Sequence, residues 1–204
     1  MSEAPGAGPG APDDGPPAGP SRPLTISRPE RRRPTPRSSV FGRAAAAVPQ
    51  DVQRGASPAT VSARSRAVET AALQPGTSLA LLVLPDHGPP GLDVRATADL
   101  LVARGASVVL LARGIPRTVA RRGPGLSLVP LRADDALASE WAVLACGPGR
   151  RVAFLARRLD DSPSAGVQRW DWLVTRDAIA VQRAGTAILE RVSMLGLRVP
   201  ALDR

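Results

Sequence analysis

ASEWAVLACGPGRRVAFLARRLDDSPSAGVQRWDWLVTRDAIAVQRAGTAILERV, residues Ala138 to Val192, decides how the rest of the chain is read. Trp141 to Cys146 and Arg151 to Leu159 are apolar runs joined by Gly-Pro-Gly-Arg, the composition of a tight hairpin. Arg169 to Thr175 alternates as a strand does: Trp170, Trp172 and Val174 face one way, Asp171, Leu173 and Thr175 the other. Asp177 is placed to cap a closing helix whose apolar stripe runs Val181, Ala184, Ile188, Val192 and Leu195. All three tryptophans of a chain with two phenylalanines and no tyrosine fall in this stretch. It holds no nucleophile elbow, metal-ligand spacing or phosphate loop, which favours a binding module over an enzyme.

Upstream, Ser57-Pro58 is an N-cap followed by proline at the first helical position. Val61, Ser65, Val68 and Ala72 then share one face of a helix ending near Gln74. Ser78 to Leu84 and Ala106 to Ala112 are continuous apolar runs, the mark of strands covered on both faces. Between them Asp93 can cap a helix with the stripe Val94, Ala98, Leu101 and Val102, stopped by Gly105. Such a β–α–β unit makes a right-handed crossover between parallel strands. Leu126 to Leu131 reads as a further short strand and DDALASE as a loop. The expected fold is α+β: a mixed sheet of about five to six strands with helices packed on it.

Composition bounds the rest. The segment 1–37 is dominated by Gly, Pro, Ala, Ser and Arg, too poor in large apolar side chains to offset its ordering entropy, and is expected to be a disordered tail. Residues 38–204 are then a single domain, in which SSVFG and the alanine run after it read as a short helix or docking segment anchored by Phe41. The net charge of +9 suggests a polyanion partner. Against this, every cation is arginine, as a GC-rich coding sequence produces, and the arginines are interspersed with acids instead of lining one face. RPERRRPTPR, Arg28 to Arg37, is the exception, either a solvated tail or a salt-sensitive polyanion contact. The one cysteine, Cys146, excludes an internal disulfide and fits a reducing compartment. With no signal-peptide core and no apolar run approaching about 20 residues, the expectation is a cytoplasmic protein without a membrane span.

The order of elements and four short motifs resemble the DICT sensory domain, a family named for diguanylate cyclases and two-component systems. They are Ser65-Arg66-Ala67-Val68-Glu69 on the first helix, Glu140-Trp141 followed by Gly147-Pro148, Phe154-Leu155-Ala156-Arg157, and Arg169-Trp170-Asp171 with Thr175-Arg176-Asp177. SSVFG is similar to the linker by which actinobacterial proteins fuse this domain to a helix-turn-helix regulator. The departures are Leu84-Pro85 where many members have Phe-Gln, Arg150 in place of an aromatic, and Arg158 in place of an acid. The resemblance implies a sensory or adaptor domain that relays a bound signal to a signalling or transcriptional output. No output module is visible in the sequence, so a stand-alone member is implied.

The ligand-binding candidates are Trp170, Trp172, Arg157, Glu140, Ser65 and Glu69. Trp170 and Trp172 either floor a planar ligand by stacking or fill the core beneath a helix. Glu140 and Arg157, on adjacent strands, are pocket residues or a cross-strand ion pair. Ser65 contacts a ligand or bonds back to a helix carbonyl, with Glu69 paired to Arg66. Asp134-Asp135 and Asp160-Asp161 are read as solvated loop carboxylates, Cys146 as a small buried hydrophobe, and His87 as a loop residue without a nucleophile to activate. No catalytic residue, metal or cofactor is expected. The partners implied are an unidentified small molecule or signalling protein, with nucleic acid as the weaker option and a homodimer left open. The competing class is an arginine-rich accessory protein that binds nucleic acid through the basic tail.

Overall fold

Continuous apolar runs place β2 (Leu79–Val83) and β3 (Ser107–Ala112) side by side at the centre, paired in parallel from Leu79↔Ser107 to Val83↔Leu111. Both strands are almost wholly buried, so each face must be covered, and helices cover both. The computed structural model describes residues 39–86, 94–116, 122–123, 125–132, 134–159 and 168–194, all within one compact unit, 33–204. The expected disordered tail, His87, Asp93, Asp160-Asp161 and Leu195 lie outside the described residues.

In chain order the remaining elements are α1 (Val40–Ala45), a 3-10 turn (Pro49–Asp51), β1 (Gln53–Ala56), α2 (Pro58–Ala72) and α3 (Val94–Ala103). Then come β4 (Arg122–Gly123), β5 (Leu126–Pro130), a second 3-10 turn (Ala136–Ser139), β6 (Glu140–Gly147), β7 (Arg150–Leu159), β8 (Arg169–Thr175) and α4 (Ala178–Met194). Among the described residues eight strands form one mixed sheet in the order β1-β8-β7-β6-β2-β3-β5-β4. The α+β class holds, with more strands than expected. The additions are both at edges: β1, whose Gln-Arg-Gly-Ala carries no apolar run, and the two-residue β4.

The sheet separates two apolar layers. On one side Val40, Phe41 and Ala44 of α1 and the α4 stripe Val181, Ala184, Ile188 and Val192 pack on Leu144, Leu155 and Leu173. On the other, Val61, Val68 and Ala72 of α2 and Val94, Ala98 and Leu101 of α3 pack on Trp141, Phe154 and Trp170. Trp141 meets Phe154 edge-on at 5.3 Å and Trp170 at 6.4 Å between centroids. Ser57 caps α2 by accepting from the Thr60 N–H at 3.3 Å, and Asp177 caps α4 by accepting from the Ala180 N–H at 2.8 Å.

The β6–β7 hairpin turns at Gly149, whose φ of +66° suits glycine. Gly147, just before it, is required by a close approach: a β-carbon there would lie 1.7 Å from the Gly76 carbonyl oxygen. The end of β6 is thereby pressed against the turn that follows α2.

Candidate functional site

The six candidate residues are not brought together; the fold distributes them over three places. On the α1 side of the sheet, Glu140, Arg157 and Asp171 occupy one rung of β6, β7 and β8. Glu140 is buried and receives the Ser39 hydroxyl and, at 3.1 Å, the Phe41 N–H. Burial pushes its carboxyl above the usual range. The hydrogen bonds from Ser39, Phe41 and Val40 and the charge of Arg157 act the other way without cancelling the shift. The expected Glu140–Arg157 ion pair is replaced: the Arg157 guanidinium reaches across to Asp171 at 3.3 Å and lies 5.1 Å from the centroid of Phe41. Asp171 also accepts from the Gly55 N–H at 3.3 Å. This polar rung therefore fastens residues 39–56, both α1 and β1, to the body of the sheet.

The second place is between α2 and α3. Ser65 does not bond back to its own helix backbone; its hydroxyl donates to Glu69 at 2.7 Å, and Thr97 donates to the other Glu69 oxygen at 3.3 Å. Glu69 is thus turned inward, away from Arg66. Polar residues of the DICT-like motifs, Ser65, Glu69, Glu140, Arg157 and Asp171 among them, are engaged in such internal bonds. Thr175 follows the same rule, its hydroxyl accepting from the Asp177 N–H at 3.0 Å.

The third place is open. Strand alternation puts Trp170 and Trp172 on the α2 face, but their fates differ. Trp170 is fully buried, whereas Trp172 is half-buried at the edge of α2 beside Val174, itself 37% exposed. The Arg64 guanidinium on α2 lies 5.4 Å from the Trp172 ring centroid, a cation–π arrangement. Arg64, Ala67, Val68 and Ala71 recur at helical spacing along one flank of α2, beside Trp172 and Val174 of β8 and Arg176 just past it. Two clefts open along this seam. One, of about 480 Å³, is lined by Arg64, Val68, Trp172 and Val174 and walled by Gln50, Asp51 and Gln53 of the turn and β1. The other, of about 400 Å³, lies over Ala71 and Val152 and is bounded by Arg150, Arg151 and Arg176.

Sequence reasoning found Trp172 but missed Arg64, Gln50 and Gln53, which have no signal until β1 is known to run beside β8. It also discounted the arginines as dispersed, although the fold gathers Arg64, Arg150 and Arg176 along one seam. Arg150 has a structural share in this: it donates to the Ala71 and Pro75 carbonyls at 2.8 and 3.3 Å, a cation at the end of α2. Asp135 is a further correction. It is buried, not solvated, accepts from the Leu137 N–H at 3.0 Å and from Arg191 Nε at 2.8 Å, and so ties the 3-10 turn to α4. Cys146 is half-buried, and that burial raises its thiol pKa. The described residues contain no group of three or more His, Cys, Asp or Glu arranged to hold a metal, and none of their helices is long and apolar enough to cross a membrane.

No protein-family model matches the chain, and no curated protein matches it in sequence. Among solved structures it is similar to TrmBL2, an archaeal chromatin protein whose structure is described as showing a novel mode of DNA binding, at 16% identity and a TM-score of 0.43. The match covers 70% of this chain and 52% of that chain, so the aligned part spans about half of the neighbour's length. A likeness this distant assigns no function.

Proposed function

We propose that the protein is a cytoplasmic signal-input domain of the DICT type, which binds a small ligand in the α2–β8 seam and passes on its occupancy without transforming it. The observation that carries this reading is the half-buried Trp172 ring with the Arg64 guanidinium over it, both lining a cleft of about 480 Å³. That volume falls within the roughly 300–1,000 Å³ of small-molecule sites, and an aromatic floor with a few polar groups is their usual lining. The cleft's outer wall supports the relay. Gln50 and Gln53 belong to the segment running back to α1, which Glu140 and Asp171 clamp to the sheet. A ligand that favours one placement of that wall shifts the population of clamped and released α1. The alternative, nucleic-acid binding through the basic tail, rests on residues outside those described.

The experiment is a thermal-unfolding screen of the full chain against metabolite panels, repeated with Trp172→Ala. A specific ligand at a hundredfold excess over Kd adds about 2.7 kcal/mol to wild-type stability. The variant is expected to lose that increment while remaining folded. Ligands that stabilise both proteins equally contradict the placement of the site.

A further inference from the structure

The two ends of the seam differ in chemistry, and together they describe one kind of occupant. At one end the half-buried Trp172 ring carries the Arg64 guanidinium over it, 5.4 Å from the centroid, and the two present a joint planar surface. At the other, Arg176 stands exposed just past β8, and Arg150 approaches from the start of β7. A guanidinium carries five N–H donors, so Arg150 retains some beyond those given to Ala71 and Pro75. Among the described residues no carboxylate lies within ion-pair distance of Arg64, Arg150 or Arg176. Asp51 is the single acid lining either cleft among those residues, and it lies at the tryptophan end. The electrostatics therefore favour an anionic group at the Arg150–Arg176 end and an uncharged flat group against the Trp172–Arg64 pair.

Spacing narrows the class further. Trp172 and Arg176 are four residues apart on an extended chain, about 13 Å at ~3.3 Å per residue. An isolated phosphate cannot engage both ends; a planar ring joined to a chain of phosphates can. Between the ends Val174 and Val68 supply apolar walls for a linking group. We infer that the seam takes an anion with a planar ring at one end and phosphate oxygens at the other, the chemistry of a nucleoside polyphosphate. This rests on the seam being the ligand site proposed above.

Isothermal titration of the full chain with ATP, adenosine and tripolyphosphate tests the inference. Three variants accompany it: Trp172→Ala, Arg176→Gln, and R31Q/R32Q/R33Q as a control for the basic leader. ATP is expected to bind about tenfold or more tighter than adenosine or tripolyphosphate, since only ATP engages both ends. Arg176→Gln should weaken ATP and tripolyphosphate by about tenfold, as loss of a charge-assisted contact does, and leave adenosine unchanged. Trp172→Ala should weaken ATP and adenosine and leave tripolyphosphate unchanged, and the leader variant should change none of the three. Tripolyphosphate binding as tightly as ATP, ATP affinity indifferent to Arg176→Gln, or ATP binding lost with the leader arginines overturns the inference. If ATP does not bind while a neutral compound saturates wild type and not Trp172→Ala, the anion is wrong and the ligand site stands. If no compound distinguishes wild type from Trp172→Ala, both readings fall.

Discussion

Glu140 is held by opposing effects, and the balance predicts a pH dependence. Burial raises its carboxyl above the ordinary value of 4.5, so the folded state holds the proton more tightly than the unfolded chain. Its contribution to stability is therefore fully present below about pH 4.5 and is lost as pH rises through the raised folded value. Glu140→Gln cannot ionise and escapes that loss. Urea midpoints should show the variant gaining on wild type as pH rises above about 4.5, whereas parallel pH profiles would count against the buried-carboxylate account. Glu140→Ala strands the Phe41 N–H and Ser39 hydroxyl, and is expected to cost about 1–3 kcal/mol. The two strand tryptophans make a second contrast at this scale. Trp170→Ala removes a fully buried ring and should cost about 3–5 kcal/mol, while Trp172→Ala, removing a half-buried one, should cost clearly less in the same denaturation experiment. Equal costs would mean that Trp172 is core and not site. Period-two alternation put both rings on one face, but only the position of α2 decides which of them stays open.

Among the elements, those legible in the sequence are the ones whose pattern is enforced by burial. The α2 stripe Val61, Ser65, Val68 and Ala72 is inward at every position, and the runs at β2 and β3 are covered on both faces as their continuity requires. What escaped is whatever long-range pairing creates. β1 has four residues and a left-handed Gly55, and exists as a strand because Gln53 and Ala56 pair with Trp172 and Trp170 while Asp171 holds the Gly55 N–H. Asp135 escaped for a related reason: its Arg191 partner is 56 residues away on α4. The hairpin was legible through its glycines, yet the role of Gly147 was not, since the Gly76 carbonyl it admits lies on another element. Gly147→Ala should therefore destabilise the protein by about 1–3 kcal/mol, the range for forcing atoms into a closed gap. Chemical denaturation checks this, and an unchanged midpoint would show that the α2–β2 turn yields freely.

For the molecule as a whole, the division of labour follows the two faces of the sheet. One face is closed by α1 and α4, with the Glu140, Arg157 and Asp171 rung holding the N-terminal segment down. The other carries α2 and α3 and leaves a seam beside β8, walled by that same segment. The polar motif residues Ser65, Glu69, Glu140, Arg157 and Asp171 hold elements together, whereas the proposed ligand contacts Arg64, Gln50 and Gln53 lie outside the motifs and Arg176 lies within one. The most direct measurement is a crystal structure of the full chain grown with a saturating ligand from the thermal screen. The proposal predicts intact ligand in the seam, its ring against Trp172 and its charged end toward Arg150 and Arg176. A ligand bound on the α1–α4 face, or a chemically altered product in the seam, would contradict it.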